Sequence, residues 1–479
     1  MKKVHFALII TISFVLSGSI LFGLCNLYVS QDTIPKEVQI SGWSVGGMQT
    51  TDVLKELDSK FQQLGQIPLH ISMKNQDIPD QEWTLTEAGV RYEVETFRNS
   101  ILKLQEGNLL ECVLYRWHFE KNYSISSHWN PSPMKSKFNK AWEGEHLGTP
   151  VNATRRITSE DHIVYIPEVS AYQLDWNTLT TRVRALIPKD FTPLEHPSTH
   201  ALSLELPFVL VNPEITVLDL KNEGIERKIM EFSTSLISSS EGRLFNVNSA
   251  AQATDGMVLK PGDVFDYGKI VALAEDTYGF QEAPVILNGK LVPGIGGGIC
   301  QVSSTLYSAA IRMGMDIVER RNHSLPVRYL PKGQDATFAT GSINFRFRNN
   351  TGKHLLIHVI VQDQTLTVKF FGTFPTDVQY DIESHTVETL TPTNKYVENL
   401  TLPVGGQEVL QTGKVGYIID TYQIKKVDGV INERKRISRD TYLPQKALIG
   451  VHPENKTDNV VPIVPKEKSI IEDGVSGML

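Results

Sequence analysis

Hydrophobic and polar positions divide this chain into stretches of different period. Residues 6–29 form an uncharged run rich in Leu, Ile, Phe and Val, long enough as a helix to cross about 30 Å of hydrocarbon. Alternation then takes over: Val38-Gln-Ile-Ser-Gly-Trp-Ser-Val-Gly-Gly-Met48 has the pattern of a strand closed by glycines. From 50 to 64, Leu54, Leu57 and Phe61 recur at helical spacing. Strands are expected at 69–73, 82–85 and 90–93 and helical runs at 94–105 and 133–142, which together predict an α+β unit. A second unit follows, with strands at 155–157 and 162–166, a helix at 177–186 behind Asp175 and a strand at 203–211. Turn chemistry around Asn212-Pro213 then leads to a mixed polar helix, a connection between domains.

From about 225 to 371 the glycine density rises. Beyond 371, β-branched and polar residues alternate, with glycines at intervals, predicting a small all-β module that ends near Gly450. From 452 onward Pro, Lys, Glu, Asp and Asn accumulate without periodicity, and disorder is expected. The pattern therefore predicts a multidomain α+β chain. Its parts are a membrane anchor at 1–30, two α+β units at 31–224 with a boundary near 145, a central α+β domain at 225–373, a β module at 374–451 and a tail at 452–479.

Composition changes this picture in two respects. Hydrophobic residues at 41% and charged residues at 21% are values of folded material. The net charge of -7 over 479 residues, without a block of either sign, gives no support to nucleic-acid binding. Lys2 and Lys3 precede the apolar run, so the positive-inside rule leaves the chain from about Ser30 outside the cell. Leu24-Cys25-Asn26 fits neither a small-x-small cleavage site nor a lipoprotein box, which favours an uncleaved, single-pass anchor. Three cysteines are too few for a disulfide framework or a zinc ribbon. Cys25 lies in the apolar run, and Cys112 and Cys300 can pair if the fold brings them together.

The chemistry concentrates in Pro293-Gly-Ile-Gly-Gly-Gly-Ile-Cys-Gln-Val-Ser-Ser-Thr-Leu-Tyr307. Val302, Leu306, Ala309, Ala310 and Met313 fall at helical spacing, and Gly314 is placed to end the helix, so Cys300 sits at or beside its start. Free amide N–H groups there favour a thiolate and can hold an oxyanion. Gly296, Gly297 and Gly298 permit positive φ and leave room for a substrate, with Gln301, Ser303 and Arg320 beside them as candidate substrate contacts. A strand at 315–320, His323, a further strand at 327–330 and a turn lead to Asp335. Cys300, His323 and Asp335 are the residue types of a nucleophile, its base and the carboxylate that orients the base. The same three can instead pack as structure or ligate a metal. No metal or other cofactor is assigned.

Five motifs carry a resemblance to the VanW-like family, known from some vancomycin-resistance operons. They are Arg243-Leu-Phe-Asn-Val-Asn248, Leu259-Lys-Pro-Gly-Asp-Val-Phe265, Ile295-Gly-Gly-Gly-Ile-Cys-Gln-Val-Ser-Ser-Thr-Leu-Tyr307, Glu319-Arg-Arg-Asn-His-Ser324 and Asp335-Ala-Thr337. The resemblance covers roughly 232–371 and departs at Phe265-Asp-Tyr267, where the family has Phe-Ser-Phe. Upstream, Gly42-Trp-Ser-Val-Gly-Gly-Met48 and Pro150-Val-Asn-Ala153 resemble the peptidoglycan-binding repeats that precede such domains. Downstream, Gly405, Gly406, Gly413, Gly416, Gly429, Gly450, Tyr422 and Tyr442-Leu-Pro444 resemble the G-five module of cell-surface and amino-sugar binding. The resemblance implies a place at the cell wall and a peptidoglycan or other wall-glycan partner, without implying a reaction. By analogy alone, the order of cysteine helix, histidine and aspartate is similar to transglutaminase and papain-like thiol sites. Two functions follow: a wall-binding protein, or a thiol enzyme acting on amide or peptide cross-links.

Overall fold

The computed structural model describes residues 2–74, 77–195, 201–287, 290–452 and 471–475. They form two compact units, one of residues 1–152 with 168–214 and one of 153–167 with 215–479. The architecture is α+β and multidomain. It begins with an apolar helix, Lys2–Val29, none of whose residues is buried and whose mean hydropathy reaches 2.3, long enough to cross a membrane.

In the first unit the helix Thr50–Gly65 buries Val53, Leu57 and Leu64. The neighbouring sheet sets Pro68–Ser72 between Leu202–Glu205, to which it is parallel, and Gln81–Thr84, to which it is antiparallel. The single strand expected at 203–211 is two strands. Pro207 separates them and has no N–H to give a ladder, so Leu202–Glu205 joins that sheet while Phe208–Val211 pairs antiparallel with Ala171–Leu174. The expected helix at 133–142 is likewise two, Ser132–Lys137 and Lys140–His146, because Asn139 caps the second by accepting the Trp142 N–H. A helix that periodicity did not reveal, Leu109–Trp117, starts at a capping box formed by Asn108 and Glu111.

The second unit is built on a four-stranded antiparallel sheet in the order Arg227–Ser235, Thr365–Gly372, Leu355–Gln362, Met257–Leu259. The hairpin Thr154–Ile157 with Ile163–Ile166 belongs here, although sequence adjacency grouped it with 31–224. Ile157 and Ile163 pack on Ile225, Leu356 and Phe371. Asp161 ties the hairpin down by accepting from Lys228 and Lys369, each at 2.6 Å.

Against this sheet lie Glu241–Thr254 and Ile299–Ile311, with Tyr267–Tyr278 packed on Glu241–Thr254 and a hairpin of Glu282–Leu287 and Lys290–Ile295 leading into the last helix. No strand forms at 327–330; the stretch lies between Pro326 and Pro331 and stays irregular. An all-β module follows. Val378–Leu390, Gly416–Val427 and Val430–Tyr442 make one antiparallel sheet, and Asn394–Glu398, Ala447–Val451 and Gln407–Gln411 make another. Within the tail expected to be disordered, residues 471–475 take a defined place and Ile471–Glu472 pairs with Glu282–Leu287; 453–470 and 476–479 lie outside the described residues.

Candidate functional site

The helix Ile299–Ile311 is buried along its whole length, not on one face alone. Its hydroxyls account for this. Ser304 donates to Ala336 O at 3.1 Å and accepts the Ala336 N–H at 3.0 Å, Ser308 donates to Gln334 O at 2.9 Å, and Ser303 donates to Ala336 O at 2.7 Å. Ser304 and Ser308, one turn apart, thus strap residues 334–338 along the helix with every hydroxyl paired, as burial requires. Asp335 and Phe338 are carried on that strap.

Cys300 is the second residue of the helix, after Gly298 at φ 108°. A Cβ on Gly297 would stand 2.5 Å from Pro284 O and 2.7 Å from Ala283 O, so the glycine loop lies directly against the strand Glu282–Leu287. Asn246 fixes the loop by donating to Gly297 O and Gln281 O, both at 2.9 Å. The Tyr267 hydroxyl donates to Ile299 O at 2.6 Å, which gives the departure at Phe265-Asp-Tyr267 a structural role. The Cys300 Sγ accepts the Phe338 N–H at 3.0 Å and lies 3.8 Å from Thr337 Oγ1.

His323 Nδ1 meets Asp335 Oδ2 at 2.7 Å, and the His323 backbone N–H donates to the same oxygen at 2.8 Å. That bond assigns the ring proton to Nδ1 and leaves Nε2 buried without a hydrogen bond. The Cys300 thiol and the imidazole are electrostatic neighbours, each altering the other's proton affinity. Asp335 Oδ1 accepts from the Tyr442 hydroxyl at 2.5 Å and stands 3.6 Å from Arg320 Nη2. Cys300, His323 and Asp335 are all fully buried.

Burial pushes the Cys300 thiol up, the Asp473 carboxylate pushes it further, and His323 with the Phe338 N–H opposes them without prevailing. Burial alone would lower the His323 pKa, but the pull of Asp335, reinforced by the Cys300 sulfur, outweighs it and holds the ring well above the ordinary imidazole range. Burial would raise Asp335, yet His323, Arg320 and Tyr442 bring it down to about 2. Thiol and imidazole therefore titrate as a coupled pair, each favouring the charged form of the other.

Of the residues singled out from sequence, Gly296, Gly297, Gly298, Cys300, His323 and Asp335 converge on one place. Gln301, Ser303 and Arg320 are buried and engaged by the protein itself. Gln301 donates to Thr234 Oγ1 at 3.0 Å and Ser235 O at 2.8 Å and accepts from Arg243 at 2.7 Å. Arg320 donates to Asp335 O at 2.7 Å and Asp440 Oδ1 at 2.5 Å over the Tyr307 ring. All three cysteines are free, so Cys112 and Cys300 do not pair. Asp473 was missed: its Oδ1 accepts the N–H of Gly298 at 3.1 Å and of Cys300 at 2.8 Å. Arg243, Asn246 and Tyr442 were missed as site residues, although all three lie inside motifs visible in the sequence.

Fold and site define the class: a multidomain α+β chain whose centre is a glycine loop feeding a buried cysteine helix, with an all-β module behind it. Family models match in two places, "VanW like protein" over residues 242–371 and "G5 domain" over 382–451. The uncharacterized protein YoaR of Bacillus subtilis is 32% identical over 222 residues, 46% of this chain and 69% of that protein. Vancomycin B-type resistance protein VanW of Enterococcus faecalis is 28% identical over 153 residues, 31% of this chain and 56% of that protein. Two solved structures, an IgA1 protease G5 domain and HP0197-G5, are 23% and 25% identical; they cover 16% and 15% of this chain, and 88% and 96% of themselves is matched. Their TM-scores of 0.13 and 0.11 carry no argument. The chain belongs to the VanW-like proteins and carries a C-terminal G5 domain.

Proposed function

We propose that this is a single-pass, membrane-anchored protein whose bulk lies outside a bacterial cell, working at the wall as a thiol enzyme on amide or peptide cross-links. The observation that carries this reading is the chain from Asp335 through Nδ1 of His323 to a free Nε2 beside the Cys300 thiol. The N–H groups of Gly298 and Cys300, which converge on one oxygen, supply an oxyanion site of the kind acyl transfer needs. The Cys300–His323 pair reacts in the form that shares one proton, drawn from the thiol onto Nε2, and the sulfur attacks a carbonyl carbon, forming the S–C bond as the C=O opens to an oxyanion. As the C–N bond breaks, the imidazolium passes its Nε2 proton to the departing amine. The neutral ring then takes a proton from water or a second amine, which attacks the thioester and returns the thiolate.

The region 31–224 and the G5 domain serve in this reading as the grips on peptidoglycan, and the helix Lys2–Val29 as the anchor. The test is incubation of the detergent-solubilised protein with purified sacculi, followed by mass spectrometry of the wall peptides. Amide bonds gained or lost with the wild type, and not with Cys300→Ser, are the expected outcome. Identical wall peptides from both would refute the enzyme and leave retention on sacculi as the remaining role.

A further inference from the structure

Residues 471–475 reach back over the site from beyond the G5 domain. Ile471–Glu472 adds an antiparallel strand to the edge of Glu282–Leu287, pairing Ile471 with Leu287 and Glu472 with Ile286. The Glu472 carboxylate accepts the Ser324 N–H and hydroxyl, both at 2.9 Å, next to His323. The Val475 N–H donates to Ile295 O at 3.0 Å, and Gly474 bridges to Ala339, one residue past the Phe338 that binds the sulfur. The segment therefore touches the glycine loop, the histidine loop and the strap that carries Asp335.

Between these contacts Asp473 lays its carboxylate on the two amides described above, with Arg243 Nη1 3.5 Å from its other oxygen. It does so at φ 59°, a left-handed conformation that aspartate tolerates better than most residues. A Cβ on Gly474 would stand 2.6 Å from Val285 Cγ1 and 2.8 Å from Ile295 O, so glycine is required there. Val475 is buried in the same core cluster as Cys300. Strand addition gives affinity and side-chain sites give register, the physics of peptide recognition at a sheet edge. The buried His323 Nε2 interacts with the Cys300 thiol, whose own backbone N–H this segment binds.

We propose that residues 471–475 are a built-in occupant of the substrate cleft: they hold the place of an extended peptide bearing a carboxylate and keep Cys300 closed until they leave. For its catalytic meaning this rests on the thiol-enzyme reading. The Asp473 charge also opposes thiolate formation, so departure uncovers the sulfur and removes a negative charge from beside it.

The experiment alkylates the full-length protein in detergent with iodoacetamide at neutral pH and follows the Cys300 peptide by mass spectrometry. Asp473→Ala accelerates Cys300 modification tenfold or more, Glu472→Gln accelerates it less, and excess free peptide Ile-Glu-Asp-Gly-Val slows the Asp473→Ala protein again. Rates within twofold of wild type in both variants overturn the proposal. Acceleration that the peptide does not reverse reports unfolding of the cleft and also overturns it. A Cys300 that the variants release while sacculi stay unchanged sinks the enzyme and keeps the occupant. Equal alkylation in all chains with active turnover does the reverse.

Discussion

From the G5 domain the Tyr442 hydroxyl reaches the Asp335 carboxylate, and Tyr442→Phe isolates its contribution. Tyr442 is fully buried, donates to Asp335 Oδ1 at 2.5 Å and accepts the Gly333 N–H at 2.6 Å. Phenylalanine keeps the ring and removes the oxygen. Losing a hydrogen bond to a charged group costs about 1.5–3 kcal/mol, and a buried N–H left without a partner costs about 1–3 kcal/mol. Taking about 3 kcal/mol together, and about 2–4 °C per kcal/mol for a unit of this size, Tm falls by roughly 6–12 °C. Scanning calorimetry of the full chain reads this in the transition of the second unit. Tyr396→Phe, at a ring 41% exposed in the same module, should leave Tm within about 1 °C, as surface changes do. A Tyr442→Phe transition that also stays there would refute the account of Asp335 as a carboxylate held from the G5 side.

Three further outcomes are expected. Asp335 is lowered from 3.8 to about 2, so its contribution of roughly 2 kcal/mol is present above pH 4 and lost as pH falls through 2. Urea midpoints between pH 5 and 2 should therefore fall more steeply for wild type than for Asp335→Asn. Gly297→Ala places a Cβ against two carbonyl oxygens of the adjacent strand and costs about 1–3 kcal/mol by overpacking, read as a lowered urea midpoint; no loss would mean the loop yields. Asp161→Asn keeps a side chain suited to φ 62° and removes the charge that both Lys228 and Lys369 bind. It should lower stability by about 1 kcal/mol, with the difference shrinking in 1 M salt.

The sequence exposed what depends on local pattern. A glycine run before a small-residue helix, and the spacing to His323 and Asp335, led to the site because each residue type has its own conformational or chemical demand. The boundaries that failed depend on partners far along the chain. The strand at 203–211 breaks at Pro207 because its halves pair with 68–72 and 171–174. The hairpin 154–166 packs its Ile157 and Ile163 on Ile225, Leu356 and Phe371, far along the chain. Gln301 and Arg320 looked available because polarity suggests exposure, yet Thr234, Arg243 and Asp440 occupy them. Asp473 was hidden by composition: a short apolar pair and an Asp-Gly step do not outweigh the polar tail without periodicity that surrounds them.

These long-range partners make the site a property of the whole second unit. In the proposed reading its oxyanion amides come from Gly298 and from Cys300 at the helix start, its base from His323, and the orientation of that base from Asp335. Asp335 in turn is held by Arg320 and by Tyr442, the last residue of the three-stranded sheet of the G5 domain. A buried carboxylate with one of these donors missing is left partly uncompensated, which costs several kcal/mol. The domain matched over 242–371 therefore does not contain every group that holds Asp335. The same dependence accounts for the burial: Tyr442 binds the Asp335 carboxylate, and Asp473 binds the backbone N–H of Cys300. The first is a hydroxyl built into a sheet, and the second sits on a short strand at a sheet edge, so the second is the one that can open while the triad stays assembled.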